Sequence, residues 1–389
     1  MFRNVPNLRF NSFSNTYNEI TIGTHIIQKG RKAKSSEWNL PAYSINNSVG
    51  FALQKDQWGD ASYTKLSKEG YKYIEKGDFA YNPARINVGS IGLYKENTPC
   101  IVSSLYVCFE TKPSIINDYL YIYLKSEKFN KKILRTQEGG VRTYFFYDKL
   151  EKTKMYIPSL KEQLKILKFL SLIDERIETQ NKIINKYESL IKIIIDLKIY
   201  DPFSDKKALK KYASLKNGYA FKSEDYLENG RYKIITISNV TGNQYISRKA
   251  NKIDIIPYDI QSHQLLRKGD ILVSLTGNVG RVSMVDAENC LLNQRVGLIL
   301  SKDIKLQEYL FIVLNSFNFE KSMIKKAQGA AQLNIGKSDV ENYKIPCPTE
   351  TKLKITNLVL KYLSRLFIEK SILEQHKKER QYLLNNLFI

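Results

Sequence analysis

Residues 158–199 read PSLKEQLKILKFLSLIDERIETQNKIINKYESLIKIIIDLKI, with no Gly and no Pro after the first residue. Within them Ile166, Leu170, Ile173, Ile177, Gln180, Ile184, Tyr187, Ile191 and Ile194 alternate in steps of four and three. That is the 3.5-residue seam of a coiled coil, interrupted by one polar residue at Gln180. Ser159 with Glu162 three residues on has the spacing of a capping box. At about 1.5 Å per residue such a helix is roughly 60 Å long, the length of a spacer or docking rod. The pattern returns from Glu350 to the end of the sequence. Ile355, Val359, Tyr362, Leu366, Leu373, Leu383 and Leu387 keep the seam, with polar residues at Glu369, His376 and Arg380. One helix follows Ile157-Pro158-Ser159 and the other follows Ile345-Pro346-Cys347, so the order is globule, rod, globule, rod.

The segments between the rods repeat. Lys76-Gly77-Asp78 recurs as Lys268-Gly269-Asp270 at a shift of 192, and Asn87-Val88-Gly89 as Asn278-Val279-Gly280 at 191. Cys100 matches Cys290, Tyr119-Leu120 matches Tyr309-Leu310, and Gly139 matches Gly329, all at 190. Ordered landmarks with so small a drift mark an internal duplication, the covalent counterpart of a twofold dimer. The divisions are an arm at 1–15, a first mixed globule at 16–157, a helix at 158–200, a second globule at 201–345 and a helix at 346–389. The fold class expected is α+β: two similar mixed α/β domains joined and spaced by two long helices, with a pseudo-twofold repeat.

Composition narrows the partner. The 389 residues carry a formal charge of +22 and a pI near 9.5, spread along a chain that is 43% hydrophobic. A folded, basic protein points to a polyanion, and nucleic acid is the commonest. Four scattered cysteines and three histidines offer no zinc-ligand spacing and no disulfide framework. No leader or apolar run of about 18 residues is present, so a cytoplasmic chain with no membrane role is expected. Two similar readers fixed at a set distance suit a duplex, and copies that differ in their loops imply an asymmetric, two-part target with an unread gap.

Arg, Asn and Gln suit bidentate reading of guanine or adenine edges, whereas Lys mostly meets phosphate. In the first copy the candidates are the basic loop Lys29, Arg31, Lys32 and Lys34, then Arg85 with Asn87, and Arg142 with Tyr144. In the second they are Lys216, Asn217, Tyr219, Asn278, Arg281, Gln294, Arg295, Gln332 and Asn334. Apolar seam residues are candidates for docking other subunits: Leu170, Ile173, Ile177, Ile184, Tyr187 and Ile191 on the first rod. Val359, Tyr362, Leu366 and Leu373 are their counterparts on the second. The run Ile193-Ile194-Ile195 is wide enough to face both a sister helix and a partner helix.

Several look-alikes fail on spacing. Tyr81-Asn82-Pro83-Ala84 lacks the second Pro and the aromatic residue of a methyltransferase tetrad, and reads as a turn. Gly336-Lys337-Ser338 follows Gly329 by seven residues where a phosphate loop needs five. Asp78 with Glu110-Thr111-Lys112 imitates a nuclease metal site, but the second copy has Leu300 where the first has Glu110. No Ser-His-Asp or Cys-His constellation is apparent.

The layout resembles the specificity subunit of type I restriction-modification systems, over essentially the whole chain. The resemblance is carried by Ile157-Pro158-Ser159-Leu160-Lys161-Glu162-Gln163 leading into Ile173-Asp174-Glu175-Arg176-Ile177, similar to that family's central helical region. Val5-Pro6-Asn7-Leu8-Arg9-Phe10, Lys268–Leu272, Thr276–Gly280 and Asn293-Gln294-Arg295 also resemble family segments. Glu350-Thr351-Lys352 departs from the expected E-E-Q-like turn. The resemblance implies antiparallel coiled-coil rods and a non-catalytic recognition subunit for double-stranded DNA. It also implies two modification subunits and, for cleavage, restriction subunits as partners. S-adenosylmethionine, ATP and Mg would then reside on those partners, with no cofactor on this chain. The alternatives are a coiled-coil adaptor that reads no DNA and a self-contained nuclease or methyltransferase.

Overall fold

The computed structural model describes residues 4–58, 67–135, 144–328 and 333–389. Two compact units divide them: residues up to 178 together with 374–389, and residues 179–373. The division cuts through both long helices, Leu160–Ile194 and Glu350–Leu387, so each unit owns a length of both rods.

The first unit holds two four-stranded sheets. One has the order Ile26–Lys29, Val107–Thr111, Phe79–Tyr81, Ile91–Leu93 and is antiparallel throughout. The other has the order Gly50–Leu53, Ala42–Asn46, Cys100–Val102, Lys72–Ile74, with its central pair parallel. A two-stranded ribbon, Asn18–Thr21 against Lys154–Ile157, brings the chain to the start of the central helix. Phe79 and Phe109 stack at 4.6 Å in a core that also takes Leu387 and Phe388 from the end of the C-terminal helix. The Phe388 ring lies 5.3 Å from Tyr119 and 5.9 Å from Tyr123. Each fully buried ring of this kind contributes about 1.5–3 kcal/mol.

The second unit repeats the plan. Ala213–Asn217, Val296–Ser301, Ile271–Ser274 and Val282–Met284 form the antiparallel sheet. Asn251–Ile253, Tyr232–Ile235, Cys290–Leu292 and Leu265–Leu266 form the sheet with the parallel central pair. The duplication holds to the residue. Phe79 pairs with Phe109 as Ile271 pairs with Ile299, Ile74 with Cys100 as Leu266 with Cys290, and Ala42 with Ile101 as Ile234 with Leu291. In all three cases the first partner moves by 192 and the second by 190, the shifts read from the sequence.

The Lys-Gly-Asp landmark is a turn in both copies. Gly77 and Gly269 sit at φ +96° and +91°, left-handed conformations that glycine alone adopts without strain. The Asp78 carboxylate accepts from the Glu75 amide at 2.8 Å, and the Asp270 carboxylate from the Arg267 amide at 2.7 Å. The repeat here preserves backbone geometry.

The rods keep the sequence-predicted seam. Ile166, Leu170, Ile173, Gln180, Ile184 and Ile191 are buried. After Ile191 the seam slips: Ile194 is half-buried, while Ile195 and Ile199 turn inward. The chain there forms a π-helix over Ile195–Ile199, whose wider turn converts the four-three rhythm into steps of four. The two rods run antiparallel. In the second unit Gln180 donates to the Glu369 carbonyl at 3.0 Å, Lys370 pairs with Glu188 at 2.7 Å, and the Tyr187 and Tyr362 rings lie 6.1 Å apart. In the first unit Arg380 pairs with Asp174 through both carboxylate oxygens. The polar interruptions at Gln180 and Glu369 therefore meet one another, a device that fixes register at some cost in stability.

The expected capping box at Ser159 forms by half. Ser159 Oγ accepts from the Glu162 amide at 3.4 Å, but the Glu162 side chain turns away to Arg9, whose Nε and Nη2 each donate to it at 2.8 Å. Tyr17 adds a third donor at 3.3 Å. The arm is thus clamped to the helix start, with Leu8 and Phe10 packed on the core.

Candidate nucleic-acid interface

In the second unit four loops converge through backbone hydrogen bonds. Tyr219 N donates to Leu292 O at 2.8 Å and Gln294 N to Tyr219 O at 2.9 Å. Leu275 N donates to Arg295 O at 3.0 Å, Gly277 N to Leu333 O at 3.0 Å, and Ile335 N to Leu275 O at 2.9 Å. Residues 217–219, 275–278, 293–295 and 333–335 are thereby one surface. On it Asn278, Gln294, Arg295 and Asn334 are exposed, and none of these side chains has a partner among the described residues. Asn217 is exposed, with its carbonyl near His263 Nε2 at 3.1 Å, and Tyr219 donates to Asp259 at 2.9 Å. Lys216 is half-buried in its strand, and Arg281 pairs with Glu320 at 3.5 Å. Gln332 and Arg142 lie outside the described residues.

The close passage at 217–219 depends on Gly218: a Cβ there would stand 2.2 Å from Asn293 O and 2.3 Å from its carbonyl carbon. Gly218→Ala is expected to lower stability by about 1–3 kcal/mol. It should also speed hydrogen exchange at the Tyr219 amide, measured by mass spectrometry with urea unfolding alongside. An unchanged amide would refute this account of the loop.

The first unit keeps one of these contacts. Phe145 N donates to Pro83 O at 2.9 Å, the counterpart of the bond from Ile335 to Leu275. Asn82-Pro83-Ala84 is the turn expected, with the Asn82 side chain accepting from the Ala84 amide at 3.0 Å. Around it Arg85 is exposed and Asn87 half-buried. The chemistry differs from the second unit. Leu105, at the place of Arg295, is 78% exposed, and exposed Tyr144 and Phe146 stack at 5.4 Å with planes 9° apart. Leu105 and Phe146 were not anticipated, although the 190-residue shift applied to Arg295 leads to Leu105.

The basic loop of the first unit needs correction. Lys29 donates to both Asp78 oxygens at 2.9 and 3.0 Å and pairs with Glu110 at 3.2 Å, so its charge is answered within the fold. Arg31 forks onto Glu37 at 2.9 and 3.0 Å and lies 3.6 Å over the Tyr73 ring. Lys32 and Lys34 remain exposed. In the same geometry Asp78 and Glu110, the carboxylates of the nuclease look-alike, both face the Lys29 ammonium. Burial lifts the Asp78 carboxyl above its ordinary range, against the pull of the Glu75 amide and Lys29. Among the described residues no group of three His, Cys, Asp or Glu could hold a metal. No described helix is long and apolar enough to cross a membrane.

The docking candidates are also placed differently from expectation. Leu170, Ile173, Ile184, Ile191, Val359, Leu366 and Leu373 are buried in the seam, and Ile177, Tyr187 and Tyr362 are half-buried. They hold the rods. The apolar side chains the rods leave exposed are others, among them Leu172, Leu190, Ile193, Leu358, Phe367 and Ile368.

The profile described as the type I restriction modification DNA specificity domain matches residues 16–189 and again 204–380. The chain belongs to that family. Both matches fall on the duplicated halves, so this is a type I specificity chain with two DNA specificity domains. It is 29% identical over 331 residues to the type I restriction enzyme MjaVIII specificity subunit of Methanocaldococcus jannaschii, covering 77% of this chain and 76% of the relative. The putative MjaX specificity subunit of the same organism is 23% identical, with 90% and 88% covered. Among solved structures, the type I restriction-modification S subunit of M. genitalium superposes with a TM-score of 0.62 at 17% identity, covering 99% of both chains. A chain from a structure on complex assembly and conformational transition of the type I system gives 0.59 at 15%, with 95% and 97% covered. The specificity chains of this family recognise DNA and do not catalyse its modification, the role expected from the sequence.

Proposed function

We propose that each unit reads one part of an asymmetric, two-part DNA site, the second through Asn278, Gln294, Arg295 and Asn334. The observation that carries this is the shared loop cluster with unlike side chains: polar, forked groups in one unit, and Leu105, Tyr144 and Phe146 beside Arg85 and Asn87 in the other. Forked groups suit guanine and adenine edges, and an apolar face suits the thymine methyl, so the half-site of the first unit is expected to favour A·T pairs. Lys32 and Lys34 meet phosphate. The rods set the separation and carry the docking faces for two modification subunits and for restriction subunits. S-adenosylmethionine, ATP and Mg are held by those partners.

Exchanging residues 207–343 for the equivalent segment of another specificity chain tests the reading. Mapping methylated sites in cells carrying the exchanged protein should show one half of the target changed and the other retained. A change in both halves would overturn the modular account, and a complex that shifts no duplex would favour an adaptor.

A further inference from the structure

The first turns of the two long helices carry buried charges of opposite sign at equivalent positions. Ser159 caps the Glu162 amide at 3.4 Å, and Thr349 Oγ1 caps the Lys352 amide at 3.3 Å. The shift between the pairs is 190, the same as for the second partner of each matched sheet pair. Glu162 is 1% exposed and is answered by Arg9 of the arm. Lys352 is 6% exposed, and its Nζ has no hydrogen-bond partner among the described residues.

Lys352 lines a cavity of about 430 Å³ with Asp201, Ser204, Asp205, Thr349 and Thr351. The charges around it are Asp201 and Asp205, opposed by Lys198 and Lys206. Asp201 Oδ1 is already engaged by the Phe203 amide at 3.0 Å. Burial pushes the Lys352 ammonium below the ordinary lysine value, and the pull of Asp201 does not restore it. A desolvated cation beside the positive end of a 38-residue helix is unfavourable twice over, and an anion there relieves both.

We propose that this cavity is a socket for an acidic peptide arm of a partner polypeptide, whose carboxylate reaches Lys352, the charge-reversed counterpart of the Arg9–Glu162 clamp. The proposal rests on the chain working as one subunit of an assembly. The volume accepts a Glu side chain with flanking backbone. Asp201 and Asp205 disfavour a bare anion, but they can accept from the N–H groups of a peptide. The first unit shows the frame filled in the same manner, by a chain segment with an ionic tip.

The test uses the full chain with ¹³C-labelled lysine and no DNA, the Lys352 ε-carbon signal being identified by its loss in Lys352→Met. A hexaglutamate peptide should raise the Lys352 titration midpoint by about one pH unit or more, whereas hexaglutamine should leave it in place. The same rise with sodium glutamate at equal carboxylate would overturn the peptide arm. No rise at peptide levels that saturate the other lysine signals would overturn the socket. Without peptide, Lys352→Met should melt higher than the wild type, and hexaglutamate should stabilise only the wild type. A lower melting point for the variant would show a lysine satisfied within the fold and would also overturn the socket. These outcomes are independent of the half-site exchange, so either reading can fail alone.

Discussion

Replacing Glu162 by Ala is expected to destabilise the first unit by about 3–5 kcal/mol, the cost of removing one partner from a buried ion pair. Arg9 would be left with its guanidinium largely out of solvent, 5.1 Å over the Tyr17 ring, having lost both 2.8 Å acceptor contacts. Its pKa is held above the usual arginine value chiefly by the hydrogen bonds to Glu162, against the opposing effect of burial. Much of the penalty would be a displaced arm. The Leu8 amide, which donates to Asn386 O at 3.0 Å, reports that displacement by hydrogen exchange. Removing both charges, as Arg9→Met with Glu162→Leu, should recover most of the loss, because an apolar pair of similar volume needs no compensation. Urea unfolding of the three variants decides the matter. A single substitution costing under about 1 kcal/mol, with unchanged exchange at Leu8, would mean that the clamp behaves as an exposed ion pair does.

The sequence foretold the parts of this fold that depend on local period or on self-comparison. The seam from Ile166 to Ile191 follows from 3.5-residue spacing, and the matching registers of the two units follow from landmarks at 190–192. What escaped depended on contacts distant in sequence. Lys29 looked like a phosphate contact because its charge is visible locally, whereas Asp78, which neutralises it, lies 49 residues away. Leu387 read as the end of a seam, yet with Phe388 it fills the core of the first unit among Tyr119 and Tyr123. Glu162 had the spacing of a capping box, and only the arm 153 residues distant shows why it does not close one. The slip into a π-turn after Ile191 leaves no periodic trace, since Ile193, Ile194 and Ile195 are all apolar. In the reading loops, residue type was informative where side chains face solvent, as at Gln294 and Arg295. It failed where an apolar residue took the equivalent place, as at Leu105.

The affinity of the assembled protein for its DNA should fall by roughly three to five decades between about 50 and 200 mM salt, as expected for roughly eight phosphate contacts. A slope of about −0.9 per phosphate gives about −7 in all, and a fourfold rise in salt then multiplies to roughly four decades. With a net charge of +22, the chain has cations to spare, so the question is which of them meet DNA. The structure separates them. Lys32 and Lys34 are exposed, whereas Lys29 is matched by Asp78 and Glu110. Lys32→Ala and Lys34→Ala should each shallow the slope by about one, weakening binding evenly across sequences. Lys29→Gln should leave the slope in place and show its effect in unfolding instead. Arg295→Ala should behave as neither: a loss of about 1–3 kcal/mol confined to one base pair of one half-site. Anisotropy titrations at four salt concentrations distinguish the three patterns. A slope shallower than about −3, or a Lys29 variant that reduces it as Lys32 does, would show that the charges meeting DNA are not those the fold leaves unpaired.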